Sequence, residues 1–128
     1  MTDTALKELL AIPELAALPH LGLLHYLLSK SEGKHVAHCL DLDLVAVAED
    51  RKKAVARLDI LVKAHIELAL ATGHLINLAT KAPQNFWKQF AEGEPVKLDP
   101  STIQIQIPES VQIVPVESSE LIILAHAA

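Results

Sequence analysis

Hydrophobic and polar positions change rhythm several times along the chain. Apolar residues run almost unbroken from Leu23 to Leu28 (LLHYLL) and then give way to the polar stretch Ser29 to Lys34, where Gly33 supplies a residue at ease with positive φ. A return strand follows from His35 to Leu40. Asp41-Leu42-Asp43 interrupts it, and Leu44 to Ala48 resumes the β-branched character of a third strand. Three strands joined by short connections predict an antiparallel meander.

From Glu49 onward the period becomes helical. Asp50 can accept backbone N–H bonds as N-cap, and Gly73 can stop the helix in the left-handed conformation. Ala54, Val55, Leu58, Leu61, Val62, His65, Ile66, Leu68 and Ala69 are expected on one broad inward stripe. Lys52, Lys53, Arg57, Asp59, Lys63 and Glu67 are expected mostly on the other side. Asp59, Lys63 and Glu67 are four residues apart, a spacing that lets them pair along an exposed face at roughly 0.2–0.5 kcal/mol each. One helix covers one face of a three-stranded sheet, so the other face or an edge is left to the tail or to a second subunit.

Two regions flank this unit. In residues 1–21, Leu6, Leu9, Leu10 and Leu15 have helix-like spacing, but Pro13 and Pro19 break the run, which predicts a short helical arm packed on some surface. In residues 81–128, three of the four aromatics, Phe86, Trp87 and Phe90, fall within five residues. Phe86 and Phe90 share a helical face, so a short helix capped near Gln84 or Asn85 could press both rings into an apolar groove. Ile103, Ile105 and Ile107 then alternate with Gln104 and Gln106, and Val111, Ile113 and Leu121 to Leu124 follow. These read as two or three further strands, with Pro108 and Pro115 at edges or turns. The expected fold is α+β: a three-stranded antiparallel meander packed by one long helix in residues 22–80, an N-terminal arm, and an extension of C-terminal β-strands.

Composition narrows the classes. At 128 residues with 51% apolar content and few aromatics, the chain should bury one aliphatic core. A net charge of −5 disfavours nucleic acid as a partner, because the phosphate backbone dominates that affinity. The lone Cys39 excludes an intramolecular disulfide and fits a reducing cytoplasm. The start of the chain lacks a basic segment before an apolar core, so no signal peptide is read, and no apolar run reaches the roughly 20 residues that span a bilayer. A cytoplasmic, non-membrane protein is expected.

The candidates for chemistry have simpler readings. His35, His38 and Cys39 are zinc-ligand types, but on a strand His38 points away from the other two. Asp41, Asp43, Glu49 and Asp50 could suggest a two-metal site; the first two belong to a turn and Asp50 to a helix cap. His65 reads as a partly buried core residue and Cys39 as a small apolar one. There is no phosphate-binding glycine loop and no nucleophile elbow. No catalytic residue, metal ligand or cofactor is predicted. Binding to a partner is assigned to Phe86, Trp87, Phe90, Ile103, Ile105 and Ile107. The alternative is a DNA-binding regulator that uses the strand at 102–108 as a ribbon in the major groove, although Val111 to Val116 is too β-branched and proline-broken for the helix such a ribbon needs.

The segment from His35 to Asp50 (HVAHCLDLDLVAVAED), leading to Ala54 and Leu58, resembles the HicB-like antitoxin family in its strand, turn, third strand, capped helix start and inward-facing Ala. The resemblance covers Leu23 to Thr72. Ala48 and Asp50 stand where that family usually has Gly and Thr, and the tail carries no helix-turn-helix. The resemblance implies a β-β-β-α unit that binds and masks a small basic toxin ribonuclease and assembles as dimers or tetramers, making this chain a toxin-neutralising antitoxin or an orphan relative of one.

Overall fold

The computed structural model describes residues 22–74, 78, 80–99, 101–106 and 120–128. The arm expected over residues 1–21, Ile107, and the strands expected around Val111 and Ile113 lie outside the described residues.

Within them the chain is α+β. In order come β1 (Leu23–Ser31), β2 (Lys34–Cys39), β3 (Leu44–Ala48), helix α1 (Arg51–Thr72), helix α2 (Gln84–Glu92), β4 (Glu94–Val96), β5 (Thr102–Gln104) and β6 (Glu120–Ala127). The sheet has six strands rather than the three expected, and it is mixed. Its order is β3-β2-β1-β6-β4, with β5 also pairing to β6. β1/β2 and β2/β3 are antiparallel, whereas β6 lies parallel to β1, with Leu23 opposite Ile122 and Leu28 opposite Ala127. β4 and β5 both pair antiparallel with β6, β4 beside residues 125–127 and β5 beside residues 120–122.

This arrangement makes β1 an interior strand, which explains its continuous apolar sequence. Leu24, Tyr26 and Leu28 face α1 and Leu27 faces the opposite side, and all four are buried. A strand covered on both faces has no need of alternation. β1 runs on to Ser31, so the turn is tighter than the polar stretch suggested: Ser31 pairs with Lys34, and the two-residue loop Glu32-Gly33 has positive φ at both positions. That geometry matches the twist of a hairpin.

α1 begins as the sequence predicts. The Asp50 side chain accepts from the Lys53 backbone N–H at 2.8 Å, and Gly73 ends the helix at φ 74°. Its buried residues are Ala54, Val55, Leu58, Val62, Ile66 and Ala69, which pack on the sheet with Leu24, Tyr26, Leu28, Ala37, Cys39, Ile103, Leu121 and Ile123. Leu61 and Leu68, expected inward, are exposed. The helix touches the sheet along a stripe centred near Leu58 and Val62, narrower than the apolar content suggested. Asp59 is likewise not part of an exposed charge row: it turns to the sheet and accepts a 2.8 Å bond from the Tyr26 hydroxyl. Lys63 and Glu67 do pair, at 2.9 Å, and they also hold the chain beyond β5. Lys63 donates to the Gln104 carbonyl at 2.6 Å, and Glu67 accepts from the Gln106 N–H at 2.7 Å. The bonds from Lys63 and Gln106 hold the Glu67 carboxyl below its ordinary range. Among the described residues no helix is long and apolar enough to cross a membrane.

Two outcomes follow for stability. Burial pushes the Asp59 carboxyl above its ordinary 3.8, against the lowering effect of the Tyr26 bond. The folded state therefore binds the Asp59 proton more tightly than the unfolded chain, and this contribution is full below pH 3.8 and lost as pH rises through the folded value. Asp59→Asn keeps an acceptor for Tyr26 without the charge. Its urea-measured stability relative to the parent should rise with pH across the acid range and then level off, whereas Tyr26→Phe should cost about 1 kcal/mol at neutral pH. A difference that falls with pH would contradict the assignment. At Gly93, an added Cβ would lie 2.5 Å from the Ala127 carbonyl oxygen and 3.2 Å from that of Gln89. Gly93→Ala should therefore destabilise by roughly 1–3 kcal/mol, through strain where β4 meets β6, and thermal unfolding reads this directly.

Candidate protein-binding surface

The sheet face opposite α1 carries a layer of histidines and aromatics. α2 lies on this face and presents Phe86, Trp87 and Phe90 to it. The expected apolar groove is the chain's own sheet: Phe90 is buried with Leu27, Leu40 and Ala82, and Phe86 and Trp87 are half-buried against them. Pro83, not Gln84 or Asn85, stands at the helix N-cap, and it gives no side-chain bond. The segment before α2 is held instead by the Ala82 N–H donating to the Leu40 carbonyl at 2.8 Å and by the Trp87 indole N–H donating to the Ala82 carbonyl at 3.2 Å.

Each aromatic of α2 meets a histidine from a different part of the sheet. Phe86 packs edge-on against His38 with ring centroids 4.7 Å apart, Trp87 meets His25 at 5.2 Å, and Phe90 stacks flat on His126 at 3.9 Å while its edge meets His25. Sheet register explains the layer: His38 and His126 flank Leu27 in one row across three strands, and His25 lies two residues along β1 on the same face. Each ring is held through one of its nitrogens. Asp43 accepts from His38 Nε2 at 2.7 Å, Asp41 from His25 Nδ1 at 3.1 Å, and the Phe90 carbonyl from His126 Nδ1 at 2.7 Å. A carboxylate only accepts, so these contacts set the proton on the named ring nitrogen. Asp41 also accepts from the His25 backbone N–H at 2.6 Å, which joins the turn after β2 to β1.

The turn reading of Asp41 and Asp43 holds, and Asp43 adopts φ 51°, a conformation that Asp tolerates better than most residues. What sequence reasoning missed is that both side chains clamp histidines of the neighbouring strands. The Asp43/His38 spacing of five residues was visible; the Asp41/His25 pair, sixteen residues apart, depends on strand register. His35 and Cys39 face the α1 side and His38 the α2 side, so the three do not converge. Burial, then the nearby Asp41 carboxylate, pushes the Cys39 thiol up to about 12. Among the described residues no group of three or more His, Cys, Asp or Glu side chains is placed to hold a metal ion.

The remaining predicted binding residues also turn inward. Ile103 and Ile105 are buried in the α1-side core, and Ile107 lies outside the described residues. Five other apolar side chains stay open on the α2 face: Val45 and Val47 on β3, Leu23 on β1, and Ile122 and Leu124 on β6, each 42–56% exposed. They flank α2, two at the β3 edge and three where β1 and β6 begin. β3 is also an edge strand of the sheet formed by the described residues, and there the Arg57 guanidinium donates to the Val47 carbonyl at 2.7 Å. Cationic side chains at an edge oppose unspecific pairing.

Comparison with protein-family models, with curated proteins and with solved structures finds no match to this chain.

Phe90 ties α2 to two histidines at once, so Phe90→Ala should cost about 3–4 kcal/mol in urea unfolding. It should also red-shift the fluorescence of Trp87, the chain's single tryptophan, before global unfolding. A variant of unchanged stability and emission would show that α2 is held elsewhere.

Proposed function

We propose that this chain is a non-catalytic protein-binding domain of the HicB-like antitoxin kind, and that it receives a small basic protein on the sheet face that carries α2. One observation carries the reading: the five apolar side chains Leu23, Val45, Val47, Ile122 and Leu124 stand open on a face whose centre is already covered by α2. Open apolar residues grouped on one sheet face, bordered by polar ones, suit a protein partner better than a small ligand. The net charge of −5 favours a basic partner and raises its encounter rate. The histidine layer has a structural role here: its rings orient α2 and are themselves oriented by Asp41, Asp43 and a backbone carbonyl.

The alternative reading, a DNA ribbon at 102–108, has less to recommend it. The Ile103 side of β5 is buried, and Lys63 ties Gln104 to α1, so entering a groove would require that strand to leave its own core.

The test is co-expression with a short basic protein encoded beside this one. An equimolar complex by light scattering, together with rescue of growth from that protein's toxicity, is the expected result. Val47→Glu and Ile122→Glu, both at exposed positions, should weaken the complex at least tenfold without lowering the unfolding midpoint. The absence of such a neighbour, or a pair that migrates separately, overturns the antitoxin reading.

A further inference from the structure

Helix α1 has a second apolar face that the described residues leave uncovered. A helix packed on a sheet should be polar on its outer side. The first two turns of α1 obey this, with Arg51, Lys52, Lys53 and Arg57 exposed. Beyond them the rule fails: from Ile60 to Ala71 the outer face is formed by Ile60, Leu61, Ala64, Leu68 and Ala71, with Ile60 at 71% and Leu68 at 64% exposure, while the 43% exposed Lys63 side chain stands to one flank. Lys63 and Glu67, which would otherwise make this face polar, are drawn to one flank by Gln104 and Gln106.

The spacing specifies what this face fits. Leu61 and Leu68 are one heptad apart, Ala64 and Ala71 are one heptad apart, and the two sets interleave as the seam positions of a helix pair. We propose that the occupant is the same face of a second copy of this chain, packed antiparallel. With the twofold axis level with residue 66, Leu61 meets Ala71 of the second copy and Leu68 meets its Ala64, so each large side chain fills the space above a small one. Alanine at these positions permits a close interaxial approach, near 8 Å. Ile60 flanks the seam.

Charge selects the orientation. A parallel pair would stack the basic first turns of both helices against each other, and it would set Leu against Leu and Ala against Ala in alternately tight and loose layers. The antiparallel pair places the two Arg51 to Arg57 segments at opposite ends and opposes the helix dipoles. This face lies on the far side of the sheet from the proposed partner surface, so the dimer does not depend on that reading.

Sedimentation equilibrium of the full chain should show a monomer–dimer equilibrium with a dissociation constant in the micromolar range, as expected of a seam only about three turns long. Leu68→Glu should weaken it at least tenfold with an unchanged circular dichroism spectrum, and Leu68→Ser should do so more mildly if the glutamate variant folds poorly. Mixing Leu61→Cys with Ala71→Cys chains should give a cross-linked pair on oxidation, while Arg57→Cys alone should not. A monomer at all concentrations, a dimer indifferent to both Leu68 variants, or efficient Arg57→Cys cross-linking would each overturn the proposal. Val47→Glu should leave the dimer intact and Leu68→Glu should leave partner binding intact, so the two readings fail separately.

Discussion

The fold depends on one constraint: β1 is apolar on both sides and must be covered on both sides. Leu24, Tyr26 and Leu28 need one layer and Leu27 another, and no single helix supplies both. α1 provides the first and α2 the second. β6 shields the long edge of β1 that the hairpin with β2 leaves open. The parallel pairing with β6 satisfies the backbone of β1 on that edge, and the sheet around it has six strands because β6 brings β4 and β5 with it.

Polar side chains then fix pieces that apolar packing leaves free to slide. Tyr26 and Asp59 lock α1 to the central strand at one azimuth, and Lys63 with Glu67 bind the backbone at Gln104 and Gln106 to the same helix. Asp41 and Asp43 perform the same service on the other face by holding the histidines against which α2 packs. In most of these a carboxylate meets a donor from another element; in the Lys63 bond an ammonium meets a backbone carbonyl. No buried side-chain nitrogen or oxygen among the described residues lacks a partner. Such satisfaction costs little in stability and removes alternative registers.

The two apolar surfaces open among the described residues differ in kind, and that difference suits two roles. The sheet face is divided by α2 into two small patches, a shape that a foreign protein can straddle. The outer face of α1 is a narrow regular stripe whose periodicity matches its own reverse. A domain that uses one for its partner and the other for itself would present two partner sites per dimer, on outward-facing sheets.

Read alone, the sequence determined the local elements. The β1–β2 hairpin, the third strand, the Asp50 cap, the Gly73 stop and the short aromatic helix follow from turn chemistry, capping and period, all of which are set by neighbours within a few residues. That Ile103 and Ile105 share one face, opposite to Gln104, was also legible from their alternation; that this face turns into the core and not toward a partner was not. What only the tertiary structure decided was which apolar surface each element buries. Leu61 and Leu68 are as apolar as Leu58, yet the sheet packs against one stripe of α1 and leaves the other outside. Phe86, Trp87 and Phe90 read equally well as anchors for a partner. Their burial against His25, His38 and His126 depends on strand register that brings residues 25, 38 and 126 to one face, and contacts of that sequence separation leave no local trace in the chain.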